Sequence, residues 1–189
     1  MSLPDASGVC SRFSFLVLAG GRSSRMGRDK AALPFGSGTL LSHQMGKARA
    51  LRIGDILLSG PGGVPDRFPG MGPLAGLHAG LSAAAHPYCI VLPVDAPLVP
   101  AEELLRLARL HLEGGAAVTL AAHGGKTEPL IGVYDSSLSP LIAACLQRGE
   151  TKVRSFLCSV PVRTADSSLS EKFWINVNTP ADLARISEL

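Results

Sequence analysis

Four cations stand within nine residues of this chain, in the run Gly20-Gly21-Arg22-Ser23-Ser24-Arg25-Met26-Gly27-Arg28-Asp29-Lys30, with only Asp29 against them. Binding of a polyphosphate is the chemistry that asks for such a loop. Glycine lets the backbone come close to an oxyanion, and successive N–H groups form a concavity that holds it. A solvated basic turn is the plainer alternative. A second candidate is Asp95, at the end of the apolar run Tyr88–Val94 and ahead of Pro97 and Pro100, which keep the chain extended. Mg²⁺ is satisfied by one or two carboxylates together with phosphate oxygens and waters, so Asp95 beside a phosphate loop is a candidate metal ligand. A turn residue or helix cap is the competing role for it. Asn176 and Asn178 are the third element. Two residues apart in an extended segment, they point to one face where aliphatic residues would ordinarily sit, although Asn also favours strand ends and caps.

These residues need elements to hold them. Phe15-Leu16-Val17-Leu18 reads as a strand buried on both faces, and it breaks directly into the basic loop. That places the loop at the carboxyl edge of a sheet, where open α/β sheets bind ligands. The spacing of Gly21, Gly27 and Lys30 does not make a Walker A loop, and no G-x-G-x-x-G follows the strand. Downstream, Thr39 or Ser42 caps a helix running to about Leu51, and Ile56–Leu58 forms a second strand. Asp66 lies in the next loop. Pro73 opens an alanine-rich helix from Leu74 to Ala85. Within it Gly76 and Gly80 lie one turn apart, which suits close packing or close approach of a ligand equally. A third strand covers Tyr88–Val94 and a helix about Ala101–Glu113. The second half reads as a strand at Ala116–Ala122, a turn at His123-Gly124-Gly125 and an extended stretch at Leu130–Tyr134. Helices follow at Ser137–Leu146 and Val153–Leu157. An edge strand at Val160–Val162, a strand at Phe173–Asn178 and a closing helix capped by Thr179 with Pro180 first complete the chain. Alternating strands and helices with short loops predict a single-domain, three-layer, mostly parallel α/β sheet.

Composition narrows the function classes. The 189 residues suit one α/β domain, and 46% hydrophobic with 17% charged residues describes a globular chain. A net charge of +3 is too weak, and too concentrated in one loop, for nucleic acid. No apolar run reaches membrane-span length, and the apolar run after Arg12 flows into the loop without a cleavage site, so a cytoplasmic protein is expected. Residues 1–12 are expected to be a flexible N-terminal segment. Cys10, Cys89, Cys145 and Cys158 are scattered, which points to reduced core thiols. His43, His78, His86, His111 and His123 show no metal-ligand spacing. His123 reads as an exposed turn residue, with a place beside an acceptor cleft as the alternative.

Taken together, Leu18-Ala19-Gly20-Gly21, Arg25-Met26-Gly27 and Asp29-Lys30 resemble the signature of the nucleotidyltransferases related to molybdenum cofactor guanylyltransferase. So do Leu92–Pro97 around Asp95, Gly72–Gly76, Thr127–Leu130, Gly149–Leu157 and the ending Asn176-Val177-Asn178-Thr179-Pro180-Ala181-Asp182-Leu183. The likeness spans about Ser14–Leu189. It implies a Rossmann-like sheet of the nucleotide-diphospho-sugar transferase type, with a nucleotide-binding N-terminal half and an acceptor-binding C-terminal half within residues 13–189. It implies GTP as donor, molybdopterin as acceptor and Mg²⁺ as cofactor, with passing contacts to other molybdenum cofactor proteins. Arg25, Lys30 and Asp95 would then be catalytic. Leu18, Ala19, Gly20, Gly21, Ser59, Asp66 and Gly76 would join Lys30 and Asp95 at the nucleotide, and Asp95 with Asn178 would hold the metal. Lys152, Arg154, Asn176 and Asn178 would meet the acceptor, although Lys152 and Arg154 also read as a solvated surface turn. Ser59 departs from the pattern, which often has Asn there. Rival readings are a cytidylyltransferase of the same fold, which the Gly20-Gly21 pair disfavours, and a non-catalytic nucleotide- or cofactor-binding partner. A guanylyltransferase for a deazaflavin cofactor fits the Asn-Val-Asn-Thr-Pro ending poorly, and a Rossmann oxidoreductase lacks its fingerprint.

Overall fold

Strand β1 (Phe13–Leu18) is buried along its whole length, and its alternate side chains enter two separate cores. Phe13, Phe15 and Val17 join one, and Leu16 and Leu18 the other. β5 (Tyr88–Pro93) divides in the same way, with Ile90 and Leu92 on one side and Cys89 and Val91 on the other. A sheet with apolar side chains on both faces must be covered twice, which gives three layers. The computed structural model describes residues 11–20 and 30–187. The expectations placed on Cys10 and on Gly21, Arg22, Arg25 and Arg28 fall outside those residues.

The sheet runs β4-β1-β5-β7-β6-β8, with β4 at Ile56–Ser59, β6 at Val118–His123, β7 at Lys126–Asp135 and β8 at Val162–Asp166. β1 pairs in parallel with β4 and β5, and β6 with β8. β7 is antiparallel to both neighbours. Its direction follows from the Gly124-Gly125 turn. Both glycines have positive φ, 52° and 74°, which is what a two-residue hairpin loop requires. A two-residue ribbon, β2 (Pro34–Phe35) with β3 (Gly38–Thr39), stands apart.

Helices α1 (Leu40–Ala50) and α3 (Ala101–Leu112) cover one face, and α2 (Pro73–Ala83), α4 (Ser139–Gln147) and α5 (Val153–Leu157) cover the other. α6 (Pro180–Ser187) closes the first face through Ile186. Thr39 caps α1, and Ser42 completes a capping box with it. In α2 the close-packing reading of the glycines holds at Gly80, where a Cβ would lie 2.2 Å from a Leu16 methyl and 2.8 Å from its Cγ. Leu16 is fully buried and has nowhere to retreat. Gly80→Val should therefore cost about 1–3 kcal/mol, seen as a fall of several degrees in the thermal midpoint. An unchanged midpoint would contradict the tight seating of α2 on β1.

The structure corrects three readings. Phe173–Asn178 is no strand: Glu171–Trp174 forms a 3₁₀ turn and Ile175–Asn178 pairs with no strand. The reason is that the Val177 N–H is given to the Asp95 carbonyl at 2.7 Å and not to a ladder partner. The edge strand begins at Val162, after Pro161, whose carbonyl accepts from Ala117 and Val118. Cys158 is exposed, whereas Cys89 and Cys145 are core thiols whose ionisation burial pushes upward.

Candidate active site

Because β4, β1 and β5 run in parallel, their carboxyl ends share one edge. The Ala19 N–H donates to the Ser59 carbonyl (2.8 Å) and the Val94 N–H to the Leu18 carbonyl (2.9 Å), which ties the three carboxyl ends together. Between them and α2 lies a cavity of ≈ 820 Å³, large enough for a nucleotide. Leu18, Gly20, Ser59, Asp66 and Gly76 all line it. Ala19 lies between Leu18 and Gly20 at the end of β1. Gly76 faces Ser59, and a Cβ there would come within 2.6 Å of the Ser59 hydroxyl. Ser59 is itself buried, so this glycine keeps the hydroxyl at the cavity wall. The Asp66 carboxylate accepts from the Phe68 N–H at 2.8 Å and so folds its own loop.

Lys30, Asp95 and Asn178 meet at this edge although the sequence separates the first two by 65 residues and the first and last by 148. Lys30 Nζ lies 3.2 Å from Asp95 Oδ2 and 2.9 Å from Asn178 Oδ1. The pair is partly open to solvent, with side-chain exposures of 17% and 26%. Two oxygens of different elements therefore converge on one cation. Asn178 is fixed by the start of α6, where Asp182 Oδ2 accepts from the Asn178 and Thr179 N–H groups and Thr179 Oγ1 accepts from the Asp182 N–H. The Asn178 amide is the main cause of a lowered Asp182 pKa. Asn176 and Asn178 are both exposed, and Val177 between them is buried.

The turn that presents Asp95 is clamped by a set of α1 residues that the sequence reading passed over. Gln44 Nε2 donates to the carbonyls of Pro93 (2.9 Å) and Ala96 (3.1 Å), on either side of Asp95. Lys47 Nζ donates to the Pro97 carbonyl at 2.7 Å, and His43 Nε2 reaches the same oxygen at 3.0 Å. Burial lowers the Lys47 pKa to about 7. His43 is lowered by burial and by Lys47 beside it. A signal existed: Leu40, Gln44 and Lys47 recur at helical spacing on the buried face of α1, where polar residues do not belong without a partner.

Lys152 and Arg154 line a separate cavity of ≈ 520 Å³ with Leu130, Met71 and Val153. It meets the first at Gly70, Gly72 and Pro73. A third cavity, ≈ 480 Å³, contains His123, Glu128, Trp174 and Ile175. His123 is not the exposed turn residue expected. It is 7% exposed, stacked on Trp174 at 4.5 Å and bonded through Nε2 to Glu128 Oε1 at 3.0 Å, because β6 continues to it before the hairpin turns. It borders this third cavity. Among the described residues no group of three or more His, Cys, Asp or Glu could hold a metal, and no helix is long and apolar enough to cross a membrane.

Residues 15–164 match the model of the MobA-like NTP transferase domain. The chain belongs to this family. The MobA-like domain is a nucleotidyltransferase fold, and this protein is an enzyme of that class. A probable molybdenum cofactor guanylyltransferase of Carboxydothermus hydrogenoformans is 35% identical over 92% of this chain and 94% of its own. The molybdenum cofactor guanylyltransferase of Rhizobium johnstonii is 36% identical over 92% and 90%. Among solved structures, molybdopterin-guanine dinucleotide biosynthesis protein A of Archaeoglobus fulgidus has the same fold. Its TM-score is 0.75 at 23% identity, with 93% of this chain and 97% of that one covered.

Proposed function

We propose that this MobA-like nucleotidyltransferase transfers GMP from GTP to the phosphate of molybdopterin, releasing pyrophosphate and forming the guanine dinucleotide cofactor. The observation that carries this is the convergence of Lys30, Asp95 and Asn178 at the mouth of a nucleotide-sized cavity. The names of the relatives supply the base and the acceptor. An oxygen of the acceptor phosphate bonds to the α-phosphorus as the bond to the pyrophosphate oxygen breaks. The chain must align the two groups and offset the charge on the non-bridging and leaving oxygens. No general base is required, because a phosphate monoester is already anionic near neutral pH.

In this reading the backbone of Leu18, Ala19, Gly20 and Gly21 cradles the nucleotide, with Ser59, Asp66 and Gly76 shaping its cavity. Arg25 and Lys30 meet the phosphate charge. Asp95 and Asn178 would hold Mg²⁺, and the donor set fits. Two hard oxygens already share a cation, and the few protein ligands leave room for phosphate oxygens and water. Bound there, Mg²⁺ would draw charge from the phosphates. Asn176 contacts the acceptor, and Lys152 and Arg154 attract its phosphate.

Thermal unfolding with GTP, CTP, ATP and UTP, each with and without Mg²⁺, tests this reading. A ligand at a hundred times its dissociation constant adds about 2.7 kcal/mol. At about 2–4 °C per kcal/mol, that raises the midpoint several degrees. A shift with GTP alone supports guanylyl transfer. A preference for CTP moves the assignment to the cytidylyl branch, and no shift with any nucleotide removes its basis.

A further inference from the structure

Helix α1 is bonded to the turns that carry both Lys30 and Asp95. At its start the Leu40 N–H donates to the Leu33 carbonyl at 2.9 Å, and the Leu33 N–H donates to the Lys30 carbonyl at 3.1 Å. These two bonds seat the Lys30–Ala32 turn on the helix. One turn further along α1, on the same buried face as Leu40, stands Gln44. Its Nε2 spends both N–H groups on the Asp95 turn, one on the Pro93 carbonyl and one on the Ala96 carbonyl. Asn178 joins by way of the same turn, because the Asp95 carbonyl accepts from the Val177 N–H at 2.7 Å. One helix therefore frames all three residues that converge at the cavity mouth.

The chemistry of Gln44 singles it out within that frame. It is fully buried, and its Oε1 has no hydrogen-bond partner among the described residues. An unpaired buried acceptor costs stability, and such a group in a core calls for an explanation. The amide cannot turn over to relieve it, since Oε1 would then meet two carbonyl oxygens. A core position is thus held by a side chain that leaves one of its own atoms unpaired. What it gains is a pair of hydrogen bonds on either side of one residue, Asp95.

A reacting constellation must be held to within about 0.5 Å, and a misplacement of about 1 Å can cost on the order of 10²-fold in rate. We infer that Gln44 is a positioning residue for the nucleotidyl-transfer site. It fixes the Asp95 turn against α1, so that the carboxylate meets Lys30 and, through the Val177 bond, Asn178 stands beside them. Gln44 does not line the nucleotide cavity, so its effect falls on the carboxylate and not on the base. The inference rests on the proposed part of Asp95 and Asn178 in holding Mg²⁺.

Gln44→Leu keeps the side chain's bulk and removes both N–H groups. Its kcat should fall about 10–100-fold, the loss expected when the group behind a metal ligand is removed. The Mg²⁺ concentration that half-saturates the GTP-dependent thermal shift should rise by a similar factor, while the shift with GTP alone stays as in the native protein. Amide hydrogen exchange in the free protein should quicken at Val177 and stay unchanged at Val17 and Leu92, which pair within the β1–β5 ladder. Ile142→Val, on α4 in the opposite core, is the control: it should lower the thermal midpoint and leave kcat unchanged. Gln44→Glu gives an independent reading. As a carboxylate it has no donor, and protonated it has one O–H for one of the two carbonyls. Its turnover relative to the native enzyme at the same pH should rise as pH falls, whereas the Gln44→Leu ratio stays level.

Native kcat and Mg²⁺ response in Gln44→Leu overturn the inference. So does a loss of turnover that Ile142→Val reproduces at the same midpoint, or a ratio for Gln44→Glu that ignores pH. The Mg²⁺ melts and the exchange at Val177 need no acceptor, so they test Gln44 separately from the guanylyl-transfer reading. A native protein whose melts answer to CTP has lost only the guanylyl assignment. One that answers to GTP while Gln44→Leu leaves Val177 exchange and the Mg²⁺ response untouched has lost only this inference.

Discussion

Asp95→Asn should lower turnover on the order of 10²–10³-fold while leaving the fold intact and part of the nucleotide affinity in place. The substitution is nearly isosteric. The backbone contacts that position the turn, from Val177 to the Asp95 carbonyl and from Gln44 to Pro93 and Ala96, do not involve the carboxylate. What is lost is the negative charge facing Lys30, which leaves only neutral amide oxygens for a cation. A partly exposed ion pair is worth only about 0–1 kcal/mol, so the thermal midpoint should stay within a few degrees. Mg²⁺ should no longer strengthen nucleotide binding in the variant. Turnover measured as pyrophosphate release, beside melts with GTP and with GTP plus Mg²⁺, reads all three consequences. Undiminished turnover would remove Asp95 from the chemistry. A non-catalytic carrier would keep its delivery function in the same variant.

Lys47 should make stability rise with pH across the range in which most proteins are level. Its ammonium is buried against Pro97, and burial lowers its pKa from 10.5 to about 7. Below pH 7 the side chain is charged in both states, and the folded protein bears the full penalty of a buried cation. Between about 7 and 10.5 the folded protein holds it neutral while the unfolded chain still binds the proton. The unfolded state then carries more protons, so stability increases with pH, by about 1.4 kcal/mol per unit. The opposite contribution comes from buried Cys89 and Tyr134, whose raised pKa values keep them protonated in the fold after the unfolded chain has ionised. It begins near pH 9 for the thiol, so the clean window is pH 7–9, worth about 3 kcal/mol. His43, lowered below its ordinary value, is neutral in both states through that window. Thermal midpoints of the native protein and of Lys47→Met, taken at several pH values from 7 to 9, should diverge as pH rises. Parallel curves would show that Lys47 is not buried as a neutral amine.

The elements that the sequence made legible are those whose residues answer to local rules. Helix α5 falls on Val153–Leu157 as expected, α2 begins at Pro73, and Thr39 caps α1. β1 was readable because a strand covered on both faces must be apolar throughout. The Gly124-Gly125 turn was readable because few other residues accept that backbone. Asp95 stood out as a charge at the end of an apolar run, and Lys30 as one of four cations in a glycine-rich loop. Phe173–Asn178 misled because aromatic and β-branched residues with alternating asparagines look like a strand. Whether they pair is decided by what lies beside them, and here it is the Asp95 carbonyl.

By itself, then, the sequence determined the three-layer sheet, the strand ends at which Ser59 and Asp95 stand and the family to which the chain belongs, since each is written in short-range periodicity, turn chemistry or contiguous motifs. Tertiary structure alone decided which distant residues share a site. It brought Asn178 to Lys30 and Asp95, set Gln44 and Lys47 behind the Asp95 turn, and buried His123 against Trp174. Such pairings depend on strand order and on the reversed direction of β7. No local pattern encodes them, because a side chain's partner across a sheet edge is fixed by packing and not by its neighbours in the chain.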